Sequence, residues 1–284
     1  MIVIRVWGGI GNQLFQYSFG EYLRLKTQQE VKYDIGSYGR TDKFRQFELK
    51  ILNPNIPTVE NIKLSQYRGI KNKILCFLFN LKAKNRFIEE TDFSEDLLLP
   101  VYPDGIVYLQ GYWGNKLYPN EVIKHNLCLF TPYIEKPIEI HSIENEIKKE
   151  KQAVALHIRR GDYFTSKKNI KKYGICNPDY YHRAINYLNQ KWNNSRIFVF
   201  SDDLEWVRDN INLSENTFFV PNYDINNFWF IFLMSKCKHN IISNSSFSWW
   251  GAYLNSNIDK IVIIPIKWID DSNNTLFLSD WLRM

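Results

Sequence analysis

From residue 153 to residue 264, short apolar runs alternate with amphipathic stretches, a rhythm that leaves few architectures open. Residues 153–158, 196–201, 217–220, 240–243 and 260–264 read as strands. Helical patterns lie between them at 178–192, 204–210 and 226–237, with another opening at Ser245-Ser246. Pro178 suits the first position of its helix. Such alternation makes a parallel, doubly wound α/β sheet. The amino-terminal part begins in the same way, with a strand over 2–6, a glycine-rich loop and a helix over about 12–28. Residues 107–110 read as a further strand, whereas 41–100 shows no clear periodicity. The polar stretch 131–152, with Pro132 and Pro137, is the natural boundary. Two domains are therefore expected, 1–150 and 151–284, with the tail after 265 free to pack back on the first.

Composition narrows the class further. A 284-residue chain that is 45% hydrophobic and 23% charged is that of a globular protein with ample core. Met1 leads straight into the first strand with no secretory signal pattern. The longest apolar runs, such as 228–234, are too short for a bilayer span. Cys76, Cys128, Cys176 and Cys237 form no CxxC pair, so neither a zinc site nor a disulfide framework is expected, and the expected location is cytoplasmic. The net charge of +6 is uneven: residues 63–86 hold seven basic side chains and no acid, around the apolar run 74–81. This segment reads either as a partly buried helix with solvated lysine flanks or as a peripheral contact with the inner face of a membrane. No nucleic-acid-binding motif accompanies the charge.

Three loops at strand carboxyl ends carry candidate chemistry, because ligands of open α/β sheets bind there. In HIRRGDY, Arg159 and Arg160 offer forked donors suited to a diphosphate, Gly161 permits a tight turn, and Asp162 adds a carboxylate. In SDDLEW, Asp202 and Asp203 could hold a divalent ion, bond a base or ribose, or cap the next helix; the metal-free options fit better beside two arginines. In SNSSFSWW, Asn244, Ser245, Ser246 and Ser248 open a helix in the manner of an anion site. Phe247 there is core or ligand stack. A fourth loop, GGIGNQ, holds Gly9 and Gly11 before Asn12 and Gln13. It resembles a dinucleotide fingerprint only in part, since Leu14 occupies the third glycine position. A tight turn capped by Asn12 explains it equally well.

Taken in order, GGIGNQLFQY, FELKI, LQGYW, HIRRGDY, SDDLEW and SNSSFSWWGAYL resemble the motifs of glycosyltransferase family 11, the α-1,2-fucosyltransferases that use GDP-L-fucose. The resemblance spans about residues 2–254. It implies a GT-B-like α/β architecture of two Rossmann-like domains facing a cleft, the first on the acceptor side and the second binding donor. It also implies inversion at the anomeric carbon and no cofactor or metal requirement. By the same resemblance, Arg159 stabilises the departing GDP with support from Arg160, and His157 lines the donor site. Asp202, Asp203 and the serines complete the nucleotide site, and the Asn12-Gln13 pair faces the reacting sugar. Asp162 is the candidate general base, or else it orients an arginine. The expected partners are GDP-fucose and a galactose-terminated glycan, with a lipid-linked intermediate of O-antigen synthesis among the candidate acceptors. Two alternatives stay open at this level: a nicotinamide oxidoreductase built on the Gly8 to Gly11 loop, and a non-catalytic nucleotide- or sugar-binding module.

Overall fold

The computed structural model describes residues 1–67, 69–82, 84–93, 105–161, 176–192, 195–268 and 274–284. The chain divides into two units, Met1–Ile134 and Glu135–Met284, each built on its own parallel sheet. In the first unit, β1 (Ile2–Arg5), β2 (Val31–Asp34), β3 (Thr58–Val59), β4 (Arg86–Glu89) and β5 (Val107–Gln110) take the order β3-β2-β1-β5-β4. Central β1 is buried along its whole length, which is why it reads as a continuous apolar run rather than an alternating one. Among the described residues, α1 (Ile10–Thr27), α2 (Lys63–Gln66), α3 (Gly69–Asn80) and α4 (Leu117–His125) accompany the sheet.

Helix α1 begins earlier than its apolar pattern suggests. Gly9 is its N-cap, and the backbone N–H groups of Asn12 and Gln13 donate to the Gly9 carbonyl at 3.0 and 3.1 Å. Asn12 therefore lies in the first turn and does not cap it. Phe19 anchors the helix by stacking on Trp113 with centroids 3.9 Å apart, and it also meets Tyr118 of α4 at 4.8 Å.

The second unit joins β6 (Ala153–Ile158), β7 (Arg196–Ser201), β8 (Phe218–Phe219), β9 (His239–Ile241), β10 (Val262–Ile264) and β11 (Leu282–Arg283) in the order β11-β10-β9-β6-β7-β8. Its helices are α5 (Ile138–Lys149), α6 (Pro178–Lys191), α7 (Leu204–Asn210), α8 (Phe228–Lys236) and α9 (Ser246–Tyr253). One expectation is corrected here. The division falls at 134/135, not 150/151, because the polar stretch hides α5. This helix buries Ile140, Ile143 and Ile147, and Glu146 and Glu150 at its end receive Arg196 Nη1 at 3.3 and 3.1 Å. The described part of the tail completes the second sheet: β11 pairs with β10, and Trp249 Nε1 donates to the Leu276 carbonyl at 2.8 Å.

Gly20 lies inside α1, where alanine ordinarily gains about 1 kcal/mol of helix propensity. Here an added Cβ would come 2.5 Å from the hydroxyl of Tyr33, a fully buried ring whose Oη donates toward the Tyr17 carbonyl and Glu21 Oε1. Overpacking of this kind costs about 1–3 kcal/mol, and displacing the hydroxyl removes hydrogen bonding as well. Gly20→Ala should therefore lower the urea midpoint of unfolding; an unchanged or raised midpoint would show that the ring yields freely.

Candidate active site

In the second unit the chain moves outward from β6 through β7 and β8, then returns to β9 on the other side of β6. Loops leaving β6 and β9 consequently diverge and open a crevice at their carboxyl ends. The parallel register pairs Ile158 with Ser201, so the residues that follow them, Arg159-Arg160-Gly161 and Asp202-Asp203, emerge side by side. The two arginines and two aspartates pair in order. Arg159 Nη1 lies 2.8 Å from Asp202 Oδ2, and Arg160 Nε donates to Asp203 Oδ2 at 3.1 Å.

Asp202, Asp203 and Arg160 are each held more than once. Asp202 Oδ1 accepts the Arg160 backbone N–H at 2.9 Å. Asp203 caps α7 by accepting the Trp206 N–H at 3.1 Å, and the Arg160 guanidinium lies 3.7 Å from the centroid of the Trp206 ring. A Cβ on Gly161 would run into the Asp202 carboxylate, so glycine is required there for space. The carboxylates thus fix the arginines, the orienting task that the sequence leaves open for Asp162. Asp162 itself lies outside the described residues.

His157 joins the end of β6 to the serine loop that follows β9. His157 is 3% exposed, with Nδ1 2.9 Å from Ser243 Oγ and its ring 5.4 Å from that of Phe247. Burial, and then the nearby Arg159 charge, push its pKa down to about 3, so the imidazole is neutral and ties β6 to the β9 loop. The three serines differ. Ser245 caps α9, its Oγ accepting the Phe247 N–H at 3.3 Å. Ser248 is fully buried and its hydroxyl points at the carbonyls of Ser243 and Ser245. Ser246 and Phe247 stand partly exposed at the helix tip. Buried Asn244 offers Oδ1 to the Cys176 thiol, which burial pushes up to about 11. The thiol is protonated there.

In the first unit, chain order breaks between β1 and β5, whose carboxyl ends are joined by Arg5 donating from Nη1 to Gln110 Oε1. Arg5 also donates from Nε to Ser37 Oγ at 3.1 Å, and its guanidinium lies 5.1 Å from the Trp7 ring centroid. The glycine that this loop needs for backbone reasons is Gly8, with φ +82°; Gly9 is extended and Gly11 is buried in the first turn of α1. With Leu14 fully buried in the core, the dinucleotide fingerprint has no structural counterpart. Gln13 is also fully buried. Its Nε2 donates to the Gly8 and Gln46 carbonyls at 2.9 and 2.7 Å, and its Oε1 accepts the Glu48 N–H at 2.9 Å. It holds the FELKI segment against the loop instead of presenting an amide to a ligand, while Asn12 beside it is partly exposed.

Gln16 was legible only as a motif letter, yet it joins two loops. Its Oε1 accepts the Trp7 N–H and its Nε2 donates to the Gly111 carbonyl, both at 3.2 Å. The next residues, Tyr112 and Trp113, part company. Trp113 takes φ 57°, a strained value for a bulky residue, and is held there by its buried stack on Phe19. Tyr112 points outward beside Trp7, with centroids 5.0 Å apart.

These features have relatives. The model of glycosyl transferase family 11 matches residues 1–284. The O-antigen biosynthesis glycosyltransferase WbnK of Escherichia coli is 32% identical over 98% of both chains. An alpha-1,2-colitosyltransferase of the same species is 32% identical over 95% of this chain and 93% of its own. A galactoside alpha-(1,2)-fucosyltransferase 1 of Saimiri boliviensis boliviensis is 30% identical over 36% of this chain and 28% of its own. Among solved structures, the fucosyltransferase NodZ from Bradyrhizobium superposes with a TM-score of 0.50 at 12% identity, covering 89% of this chain and 92% of its own. A family 9 glycosyl transferase from Veillonella parvula gives 0.50 at 13%, covering 100% and 86%. At such identities the structural likeness is one of fold alone, two parallel-sheet α/β units in tandem. The whole-length family match and the near-complete bacterial alignments decide the rest: this chain belongs to glycosyl transferase family 11 and is a glycosyltransferase.

Proposed function

We propose that the enzyme transfers L-fucose from GDP-β-L-fucose to the 2-hydroxyl of a terminal galactose on a glycan, with inversion and without a metal ion. The observation that carries this reading is the paired arginine–aspartate set at the carboxyl end of β6, beside the tip of α9. Breaking a sugar–diphosphate bond places growing negative charge on the leaving group. Arg159, with the amino-terminal N–H groups of α9, is the group to receive it. Because Asp202 and Asp203 are engaged by arginines, a metal-free departure is the simpler use of the site. Asp162, next in sequence after Gly161, is the carboxylate proposed to take the acceptor proton.

The relatives support a surface glycan as acceptor and fucose or its close kin as donor. The similarity to a colitosyltransferase makes a GDP-colitose donor the second reading. In the first unit, the exposed Tyr112 ring beside the half-buried Trp7 ring supplies an apolar face on which a sugar of the acceptor can lie.

Four outcomes test the reading. Arg159→Ala should lower kcat by roughly 10²–10³-fold in a GDP-release assay with the fold intact, and wild-type turnover should survive EDTA. Near-wild-type release by the variant, or loss of release on chelation, would overturn the assignment. Asp202→Asn, which leaves Arg159 present but loosely held, should reduce kcat/KM for the donor about 10–100-fold, chiefly through KM. A pure kcat effect would instead place Asp202 in the chemical step. Tyr112→Ala should raise the acceptor KM about 3–10-fold while leaving the donor KM alone; an unchanged acceptor KM would remove the ring from recognition.

A further inference from the structure

Helix α3 turns its apolar side outward. Leu75, Cys76 and Phe79 pack on the cluster of Val3, Leu64 and Tyr108, and Asn72 Nδ2 donates to the Leu64 carbonyl at 2.6 Å, so one face is accounted for. On the other face Ile70, Ile74, Phe77, Leu78 and, just past the helix end, Leu81 are each 50–77% exposed. Their spacing, i, i+4, i+7, i+8 and i+11, confines them to an arc of about 100°. Lys71 and Lys73, both exposed, border the arc on opposite sides. Elsewhere on the described surface, large exposed apolar side chains are scattered, and none forms a comparable row along one helix. The sequence admitted a partly buried helix here; the structure buries none of its residues fully.

We propose that this face of α3 docks on an anionic lipid surface. The occupant is chosen by charge: residues 63–86 carry seven basic side chains and no acid, which suits a lipid headgroup layer and would repel a second copy of the same face. Apolar side chains in a row, bordered by lysines, form the pattern of a helix lying in the interface plane, with the lysine stems reaching up to the headgroups. Among the described residues no helix is long and apolar enough to cross a membrane, so the contact is peripheral. The inference does not depend on which sugar is transferred, and the helix holds none of the residues assigned to the site above.

The experiment is co-sedimentation of the full chain with vesicles of phosphatidylcholine alone and of phosphatidylcholine with phosphatidylglycerol. Binding is expected to the anionic vesicles and to weaken as salt is raised. Lys71→Glu with Lys73→Glu should lower the partition coefficient at least about tenfold. Phe77→Ser with Leu81→Ser should lower it comparably at constant charge. Both pairs should keep the wild-type circular dichroism and the wild-type rate on a soluble acceptor. No binding to anionic vesicles at low salt, equal binding to neutral ones, or wild-type binding by either pair would overturn the proposal. Concentration-dependent self-association abolished by Phe77→Ser and Leu81→Ser, without vesicle binding, would assign the face to a second copy.

Discussion

Everything proposed for the second unit rests on two carboxylates at the end of β7 holding two guanidinium groups at the end of β6. Half-buried arginines need a counter-charge whatever else they do, since a desolvated cation left alone is costly. Parallel pairing meets that need cheaply: once Ile158 lies opposite Ser201, the next residues on each strand are neighbours, and order along the chain becomes order across the sheet. Arg159 finds Asp202 and Arg160 finds Asp203 with no intervening structure. Trp206 then covers the second arginine, and Gly161 leaves space for the first aspartate. RRGD and SDDLEW are one structural object written in two places.

The same logic joins the motifs of the first unit. Two buried glutamines, one helical turn apart on α1, each satisfy donors and acceptors from a different segment: Gln13 from the 46–48 stretch, Gln16 from the loop after β5. A buried amide is tolerable only when its hydrogen bonds are made. These two therefore act as fixed crosslinks, and they explain why GNQLFQY, FELKI and LQGYW occur together. The outward Tyr112 is a consequence of the inward, strained Trp113. The Trp113 ring stacks on Phe19, and its neighbour turns the other way, toward Trp7.

How much of this could be read in the residues depended on the length and the burial of each segment. β5, β6 and β7 and helix α7 stand out in the sequence with the bounds they have in the structure, because central strands are long and apolar and α7 is announced by its Asp203 cap. β3 and β11, of two residues each, have too little chain for a period to show. α5 hides because its buried isoleucines are spaced through charged residues that read as linker. At the site, residue types were legible and partners were not. Asp202 and Asp203 suggest metal, ribose or cap until the register puts arginines beside them. Three serines suggest three donors until burial turns Ser248 inward and gives Ser245 to the helix cap. Gln13 looks like a ligand amide because nothing local reveals that the 46–48 backbone will reach it.

The pinning of Asp202 bears on how a diphosphate could be received. One oxygen faces Arg159 and the other takes the Arg160 N–H, while Gly161, lacking a Cβ, leaves the carboxylate its place. Swinging this carboxylate away to release Arg159 would break a charge-assisted hydrogen bond and leave a main-chain donor unmet at the same time. An anion entering the crevice is therefore met most economically by Arg159 in place, with Asp202 still behind it. A guanidinium has five donors in a rigid plane, so it can serve a carboxylate on one edge and a phosphate on another. On this argument the aspartate restrains the arginine without competing for its role. The cationic plane is set before the leaving group acquires its charge, and little reorganisation is left for the transition state to drive.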